Sequence, residues 1–202
     1  SRDYAKVKSL MTAEPELWHR LCDRLADHAI TTLRAQVSAG ACAIQLFDSW
    51  AGALRPEHYE SYVLPHSEKI LSAMADLGVP RTHFGINTAE LLGLMADAGA
   101  EVVGVDWRTP LSTARERTGG SVALQGNLDP GLVLAPWPVL AREVQRVLDY
   151  NDAHPGHIFN LGHGVLPQAD PEQLARVVEM VHATERVHAT ERVHANEPGG
   201  TP

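Results

Sequence analysis

Polar side chains and glycines cluster directly after several short apolar runs of this sequence. Phe47, Asp48 and Ser49 close the run that continues as QLFDSWAG, and His163 stands between two glycines in NLGHG. A hydroxyl and an imidazole can each donate and accept hydrogen bonds, and neighbouring glycines allow a ligand to approach the backbone. Functional groups of parallel α/β folds gather where strands end, so this pattern predicts one ligand pocket.

Charged residues near the same strand ends are few. Arg81 and Arg108 are the candidates for binding a carboxylate, for which the planar guanidinium is well suited. Asp48 and Asp106 resemble catalytic acids by position, but neither is favoured for that role. Asp129, which precedes Pro130, is interpreted as a helix cap.

Short apolar runs alternate with longer amphipathic segments after two leading helical patterns. This alternation is typical of βα units around a parallel sheet, and nearly continuous apolar content indicates strands covered on both faces. The five predicted strands are Ala41–Phe47, Thr82–Ile86, Glu101–Val105, Val122–Gly126 and His157–Leu161.

Several helix boundaries are also predicted from local residue types. Asn87 with Glu90 resembles a capping box, Gly99 suits the left-handed position after a helix, and Asp170 before Pro171 is a typical helix start. A further helix is predicted from Pro65 to Gly78.

A complete (β/α)8 barrel has about 250 residues, so five units plus two leading helices leave about three units unaccounted for. We therefore expect the C-terminal five βα units of a TIM barrel, with the N-terminal units absent. The alternative is a complete doubly wound sheet, which is weakened because no G-x-G-x-x-G or Walker motif follows any predicted strand.

Composition excludes several classes of function. A net charge of −8 argues against nucleic-acid binding, and no apolar run is long enough for a membrane span or a secretory signal, which predicts a cytoplasmic protein. Cys22 and Cys42 belong to no metal-ligating cluster; we predict that both are inert packing residues, without a disulfide or a thiolate zinc site.

The end of the chain repeats the hexapeptide VHATER from Val181. A shift of six residues turns a helix by about 120° relative to the previous repeat, so the repeated histidines lie on different faces and a metal tract is disfavoured. We predict a partial barrel over residues 1–182 and a solvated or disordered tail over residues 183–202.

Four strings in register carry a resemblance to a known family. QLFDSWAG, GVDW, QGNLDP and HIFNLGHGVLP occur in the order and spacing of the uroporphyrinogen decarboxylase family, and the similarity extends from Ser1 to about His182. The resemblance implies a cofactor-free (β/α)8 barrel that acts as a homodimer. It also implies a carboxy-lyase that removes the acetate carboxyl groups of uroporphyrinogen to give coproporphyrinogen.

The resemblance assigns roles to three residues by position. Ser49 matches the family's substrate-contacting hydroxyl residue, His163 its substrate-binding histidine, and Phe47 an apolar wall of the macrocycle pocket. The family's arginine motif, catalytic aspartate and substrate-contacting tyrosine are expected upstream of Ser1, so this chain alone is expected to be inactive.

Other interpretations of the same residues remain open. His163 can stabilise its own turn, Ser49 can cap a helix and Phe47 can belong to the core. At the level of function, the alternatives are a non-catalytic interaction module derived from the barrel and, less favoured, a corrinoid-linked methyltransferase, which would require a zinc ligand set.

Overall fold

The structure of the chain is a computed structural model that describes residues 4–154 and 156–195, without the side chains of 151–153 and 185–195. Its strands form one parallel five-stranded sheet in the order β1-β2-β3-β4-β5. The strands are β1 Ile44–Phe47, β2 Arg81–Phe84, β3 Val102–Gly104, β4 Ala123–Leu128 and β5 His157–Leu161.

Eight α-helices accompany these strands within the described residues. They are α1 Ala5–Ala13, α2 Pro15–Ser38, α3 Pro56–Tyr62, α4 Leu64–Ser72, α5 Leu92–Asp97, α6 Leu111–Arg117, α7 Trp137–Ala153 and α8 Pro171–Ala195. No helix of the described residues is long and apolar enough to cross a membrane.

One face of the sheet packs against helices. Alternate side chains of the strands point toward the helices. Those of Leu46, Val103 and Leu124 pack with Tyr59 and Met95 from the helical layer. A second cluster joins β4 and β5 to α7 and α8 through Leu128, Leu140, Val144, Leu148, Val177 and Val181. The hydrophobic core therefore lies between the sheet and its outer helices.

The opposite face of the sheet is concave. The side-chain amide of Gln125 on β4 donates to Oε1 of Gln45 on β1 at 3.1 Å, although β2 and β3 lie between these strands. Three strand spacings of a flat sheet amount to about 14 Å, so the sheet must curl toward this face. Such curling is the geometry of a barrel wall.

The predicted strands are all found, although four of them begin or end elsewhere. The first strand begins only at Ile44, and the fourth continues to Leu128. The expectation that both faces are covered is wrong for the concave face, where Phe47 is 65% and Ile158 is 46% exposed.

The predicted helix boundaries have mixed outcomes. Gly99 has the expected left-handed backbone, with φ 91°, and Asp170 caps α8 by accepting from the backbone N–H of Glu172 at 2.9 Å. The capping box at Asn87 is wrong, because Asn87 is left-handed with φ 57° and α5 begins only at Leu92, after a 3-10 turn.

The helix predicted over residues 65–78 is interrupted. Helix α4 ends at Ser72, and a 3-10 turn leads to Gly78, which has φ 66°. At the other end of the chain, α8 continues through the hexapeptide repeats to Ala195. Residues 196–202, where the sequence predicts a disordered end, lie outside the described residues.

Candidate functional site

Phe47 and Ser49 lie at the carboxyl end of β1, and His163 follows the carboxyl end of β5. Because all five strands are parallel, these residues share one end of the sheet. Strands β1 and β5 form its two edges, so the sheet brings the three residues to a common rim from opposite sides. Whether Ser49 and His163 line a common pocket stays a prediction.

Phe47 lies on the concave face and is not a core residue. Its ring is largely exposed and meets the edge of Phe84 on β2, with ring centroids 6.0 Å apart and planes at 77°. The interpretation of Phe47 as core packing is therefore wrong. An exposed aromatic ring on the concave face offers an apolar surface to a ligand.

Ser49 has an uncommitted hydroxyl. The 3-10 turn that follows, Ala51–Ala53, has Trp50 at its N-cap position and receives no side-chain cap hydrogen bond. Ser49 is half-buried, and its Oγ has no hydrogen-bond partner among the residues that the structure describes. The helix-cap interpretation is therefore wrong, and the hydroxyl is available to a ligand.

Asp48 anchors the turn that carries Phe47 and Ser49. Its Oδ2 accepts from Tyr59 Oη at 3.3 Å, from Ser67 Oγ at 3.1 Å and from His83 Nε2 at 3.3 Å. Its backbone N–H donates to the carbonyl of Phe84 at 2.7 Å. These contacts from α3, α4 and β2 use the carboxylate, which is therefore not a free acid.

Tyr59, Ser67 and His83 were not predicted as site residues from the sequence. All three are buried, and burial followed by the charge of Asp48 raises the pKa of the Tyr59 hydroxyl. The one available signal was a histidine within an apolar strand, because a buried polar side chain requires a hydrogen-bond partner.

Asp106, at the end of β3, joins two strand-end loops. It is 2% exposed, and its Oδ2 accepts from the backbone N–H of Asn87 at 2.6 Å. Its Oδ1 accepts from the backbone N–H of Arg108 at 3.0 Å. Asp106 therefore fixes loop backbone, and, as with Asp48, its carboxylate is occupied by protein donors.

Asn127 connects the next pair of loops. Its side-chain amide donates to the backbone carbonyls of Asp106 at 2.9 Å and Thr109 at 2.6 Å. Asp129 caps the following 3-10 turn by accepting from the backbone N–H of Gly131 at 2.8 Å, which confirms the cap interpretation. The Asn127 amide thus holds the end of β4 to the loop after β3.

His163 is exposed and stacks on Trp107, the residue after Asp106. The ring centroids lie 5.9 Å apart with an interplanar angle of 28°. Its Nδ1 accepts from the backbone N–H of Gly164 at 2.6 Å, so the histidine does stabilise its own turn. Nε2 has no partner among the described residues and remains available to a ligand.

A cavity of about 520 Å³ lies beside β1, between α1, α2 and α4. Its lining is mostly apolar and includes Phe47 and Asp48, but neither Ser49 nor His163. A second cavity of about 460 Å³ opens beside Trp107 and Arg108. The two cavities have different linings, and the expectation that Ser49 and His163 share one ligand pocket stays a prediction.

The cysteines differ from each other. Cys22 lines the 520 Å³ cavity, where burial, followed by the charges of Asp23 and Asp48, raises the pKa of its thiol to about 11. A thiol with that pKa is protonated and unreactive at neutral pH. Cys42 is exposed, so its predicted role as a packing residue is wrong. Both cysteines are free.

The curled parallel sheet and its outer helices define the class of (β/α)8-barrel proteins, whose functional groups lie where the candidate residues are found, at the strand ends. A solved structure supports this class: a methyltransferase from Methanosarcina mazei superposes with a TM-score of 0.76. That superposition covers 90% of this chain and 54% of the methyltransferase, at 22% identity, and shows the fold alone. The predicted fold class, five βα units of a TIM barrel, is confirmed.

The family follows from sequence comparison. Residues 1–184 match the family described as uroporphyrinogen decarboxylase (URO-D), and the chain belongs to that family. Proteins named uroporphyrinogen decarboxylase from Salinispora tropica and Frankia casuarinae are each 58% identical over 182 residues. These alignments cover 90% of this chain and 49% of each relative, so the chain spans about half the length of the curated relatives that it matches.

Proposed function

We propose that this chain forms part of a uroporphyrinogen decarboxylase, a carboxy-lyase that removes the acetate carboxyl groups of uroporphyrinogen to give coproporphyrinogen. The family match over residues 1–184 is the observation that carries this proposal. The placement of Phe47, Ser49 and His163 at one end of a parallel sheet supports it. The whole enzyme would act without a cofactor, as a homodimer in the cytoplasm.

In this proposal, the chain contributes binding groups and not the catalytic acid. Phe47 presents an apolar ring to the macrocycle, the Ser49 hydroxyl bonds a polar substrate group, and His163 donates from Nε2. Each group is exposed or lacks a partner among the described residues, as a binding group must before its ligand arrives.

Decarboxylation of a pyrrole acetate requires a protonated ring to accept the electrons released with CO2, and a nearby carboxylate stabilises that cation. Asp48, Asp106 and Asp129 lie near the strand ends, and all three already accept hydrogen bonds from protein groups. The acid and the principal arginine anchor are therefore assigned to a part of the whole enzyme outside this chain.

The test compares this chain with the intact relative from Salinispora tropica. Both are incubated with uroporphyrinogen, and coproporphyrinogen is quantified as the oxidised porphyrin by liquid chromatography. We expect product from the relative and none from the chain. In parallel, we expect the chain to bind uroporphyrin in a fluorescence titration.

Substitution of Ser49 tests whether this residue contributes to uroporphyrin binding. Ser49→Ala should weaken uroporphyrin binding about tenfold, as expected for a hydrogen bond to a charged group. Ser38→Ala, an exposed serine at the end of α2, should bind like the unaltered chain. Failure of the chain to bind uroporphyrin would contradict the proposal, and turnover by the chain alone would contradict the assignment of the acid to another part of the enzyme.

A further inference from the structure

The indole of Trp107, directly after the end of β3, contacts two side chains with hydrogen-bond donors. The guanidinium carbon of Arg108 lies 3.7 Å from its ring centroid, and the His163 imidazole stacks on it at 5.9 Å. Arg108 belongs to the same loop as Trp107, whereas His163 comes from the loop after β5. The indole thus joins a cation and an imidazole from two different strand ends.

The contact between these two loops is close because of a glycine. The Gly162 backbone N–H donates to the Leu128 carbonyl at 2.7 Å, and a Cβ at position 162 would lie only 2.8 Å from the Cα and Cβ of Trp107. Any larger residue would push the loop away from the indole. Gly162 therefore sets the distance between Trp107 and the residue that follows it, His163.

The orientation of the His163 ring follows from its backbone contact. A backbone N–H can only donate, so the Nδ1 that accepts from Gly164 at 2.6 Å carries no proton. The neutral ring therefore carries its proton on Nε2, which has no partner among the described residues. His163 presents an N–H donor to whatever binds at this rim.

Arg108 is held in place by Asp106 and keeps further N–H donors for a ligand. Its Nη1 lies 3.3 Å from Oδ2 of Asp106, a carboxylate that already accepts from the backbone N–H groups of Asn87 and Arg108 itself. The guanidinium has five N–H donors, and its side chain is 48% exposed. Neither the ion pair nor the stacking therefore uses up the capacity of Arg108 to bind an anion.

We propose that Arg108 and His163 together bind a carboxylate of the tetrapyrrole, and that Trp107 is the positioning residue that holds both. The proposal rests on the proposed function for the identity of the ligand. Both side chains contact the Trp107 indole, and a planar guanidinium and a neutral imidazole N–H can each donate to a carboxylate oxygen. Arg108 is thereby a specificity-determining residue that distinguishes a carboxylated macrocycle from an uncharged one.

The chain contains a matched control for this arrangement. Arg176 on α8 places its guanidinium carbon 3.8 Å from the ring centroid of Trp137 on α7, an indole other than that of Trp107. Arg176→Ala therefore removes the same type of cation–π contact without touching the proposed site. Both alanine variants lose one arginine stacked on a tryptophan. A difference in their uroporphyrin affinity therefore depends on where the arginine lies and not on the loss of a cation–π contact as such.

The first measurement is uroporphyrin binding by the full chain, followed by fluorescence. Arg108→Ala is expected to weaken binding about tenfold, because a hydrogen-bonded charge pair is lost, whereas Arg176→Ala should bind like the unaltered chain. Arg108→Lys should recover only part of the loss, since an ammonium lacks the planar fork. Equal binding by Arg108→Ala and the unaltered chain would overturn the assignment of Arg108.

The second measurement needs no ligand and separates this proposal from the proposed function. In the chain labelled with ¹⁵N-histidine, the two ring nitrogens of His163 should show the shifts of a protonated Nε2 and an unprotonated Nδ1. Trp107→Leu removes the stacking that keeps the ring against the Gly164 N–H, so these signals should move toward a mixture of tautomers, and Trp107→Phe should restore most of the original pattern. Unchanged signals in Trp107→Leu would overturn the positioning role, and a chain that binds no uroporphyrin would overturn the carboxylate assignment together with the proposed function.

Discussion

At the scale of single residues, the two glycines that flank His163 differ in what surrounds them. A Cβ at Gly162 would collide with the backbone of Trp107, whereas a Cβ at Gly164 would meet nothing within 4 Å. Gly162→Ala should lower the free energy of unfolding by about 2 kcal/mol, as overpacking typically does. Urea denaturation measures this change.

Gly164→Ala is the matched control, because it adds the same methyl group to open space. We expect it to change stability by less than about 0.5 kcal/mol. Equal effects of the two substitutions would show that the Gly162–Trp107 contact is not formed in solution.

The aspartate before Ser49 allows a second prediction at this scale. Asp48→Ala would leave the buried donors of Tyr59, Ser67 and His83 without their acceptor. Unsatisfied buried donors are costly, so we expect a loss of about 3 kcal/mol in urea denaturation. Asp129→Ala, which removes one exposed cap contact, should cost about 1 kcal/mol. An Asp48→Ala loss as small as that of Asp129→Ala would contradict the anchor role of Asp48.

Sequence patterns predicted individual site residues only where local signals exist. Phe47, Ser49 and His163 follow apolar runs that identify strand ends, and the structure places them there. The partners of Asp48 could not be predicted, because His83 lies 35 residues away and reaches it only through strand pairing. Side-chain networks of this kind depend on the assembled sheet and leave no local pattern.

At the scale of secondary-structure elements, β5 begins with a half-buried histidine. His157 lies against β4, where its Nε2 donates to the carbonyl of Gly126 at 2.6 Å and its Nδ1 is buried without a partner. Burial lowers the pKa of His157, and the charge of Arg115 adds to the effect, while the Gly126 carbonyl opposes it. Protonation would place an unpartnered N–H inside the protein.

The pH dependence of stability follows from that direction. The unfolded chain binds a proton near the ordinary histidine pKa of about 6.5, whereas folded His157 resists it. The stability is therefore complete above that pH and falls as the pH decreases from about 6.5 toward the native pKa. Burial also lowers the pKa of His66, which contributes in the same direction.

Urea denaturation between about pH 7.5 and about pH 5.5, one unit above and below 6.5, measures this effect. His157→Gln keeps a donor for Gly126 but cannot be protonated, so part of the decrease should disappear. The double variant His66→Gln/His157→Gln should flatten the curve further. A decrease that is as steep in the double variant as in the unaltered chain would contradict the role of these histidines.

The elements also show where sequence patterns are insufficient. All five strands were predicted from apolar runs, and Gly99 and Asp170 were assigned correctly because left-handed glycine and an N-cap are local features. Asn87 was assigned incorrectly, because its backbone N–H donates to the carboxylate of Asp106, on the next strand-end loop. A distant acceptor overrides the local capping pattern there.

At the scale of the whole molecule, the concave face exposes apolar side chains and the described sheet has two edge strands. Phe47 and Ile158 are exposed on that face, and β1 and β5 are the edge strands of the sheet. Exposed edges and apolar surface promote association. Sedimentation velocity should therefore show oligomers of this chain that increase with concentration.

A pair of substitutions identifies the surface responsible. Phe47→Ser should reduce association, whereas Leu134→Ser, which removes a comparably exposed apolar side chain from the turn before α7, should leave it unchanged. A monomer at all concentrations, or equal effects of the two substitutions, would contradict the role of the concave face.

The fold as a whole was predictable because βα repetition, unit length and four motifs all indicated the same barrel. Whether the concave face is covered was not predictable. Strands with nearly continuous apolar residues are typical of a closed barrel, but they do not show whether the interior of the barrel is filled. The cavities likewise depend on how α1 and α2 pack beside β1, a long-range arrangement that amphipathic patterns alone do not determine.

An NMR titration of the ¹⁵N-labelled chain with uroporphyrin tests most directly whether the two edges of the sheet serve one ligand. We expect the backbone amide of Ser49 and the ring nitrogens of His163 to shift together with a single dissociation constant. The signals of His28, which lies within α2, and of Ser38, its last residue, should remain in place. Shifts confined to one of the two site residues, or two different dissociation constants, would contradict a shared site.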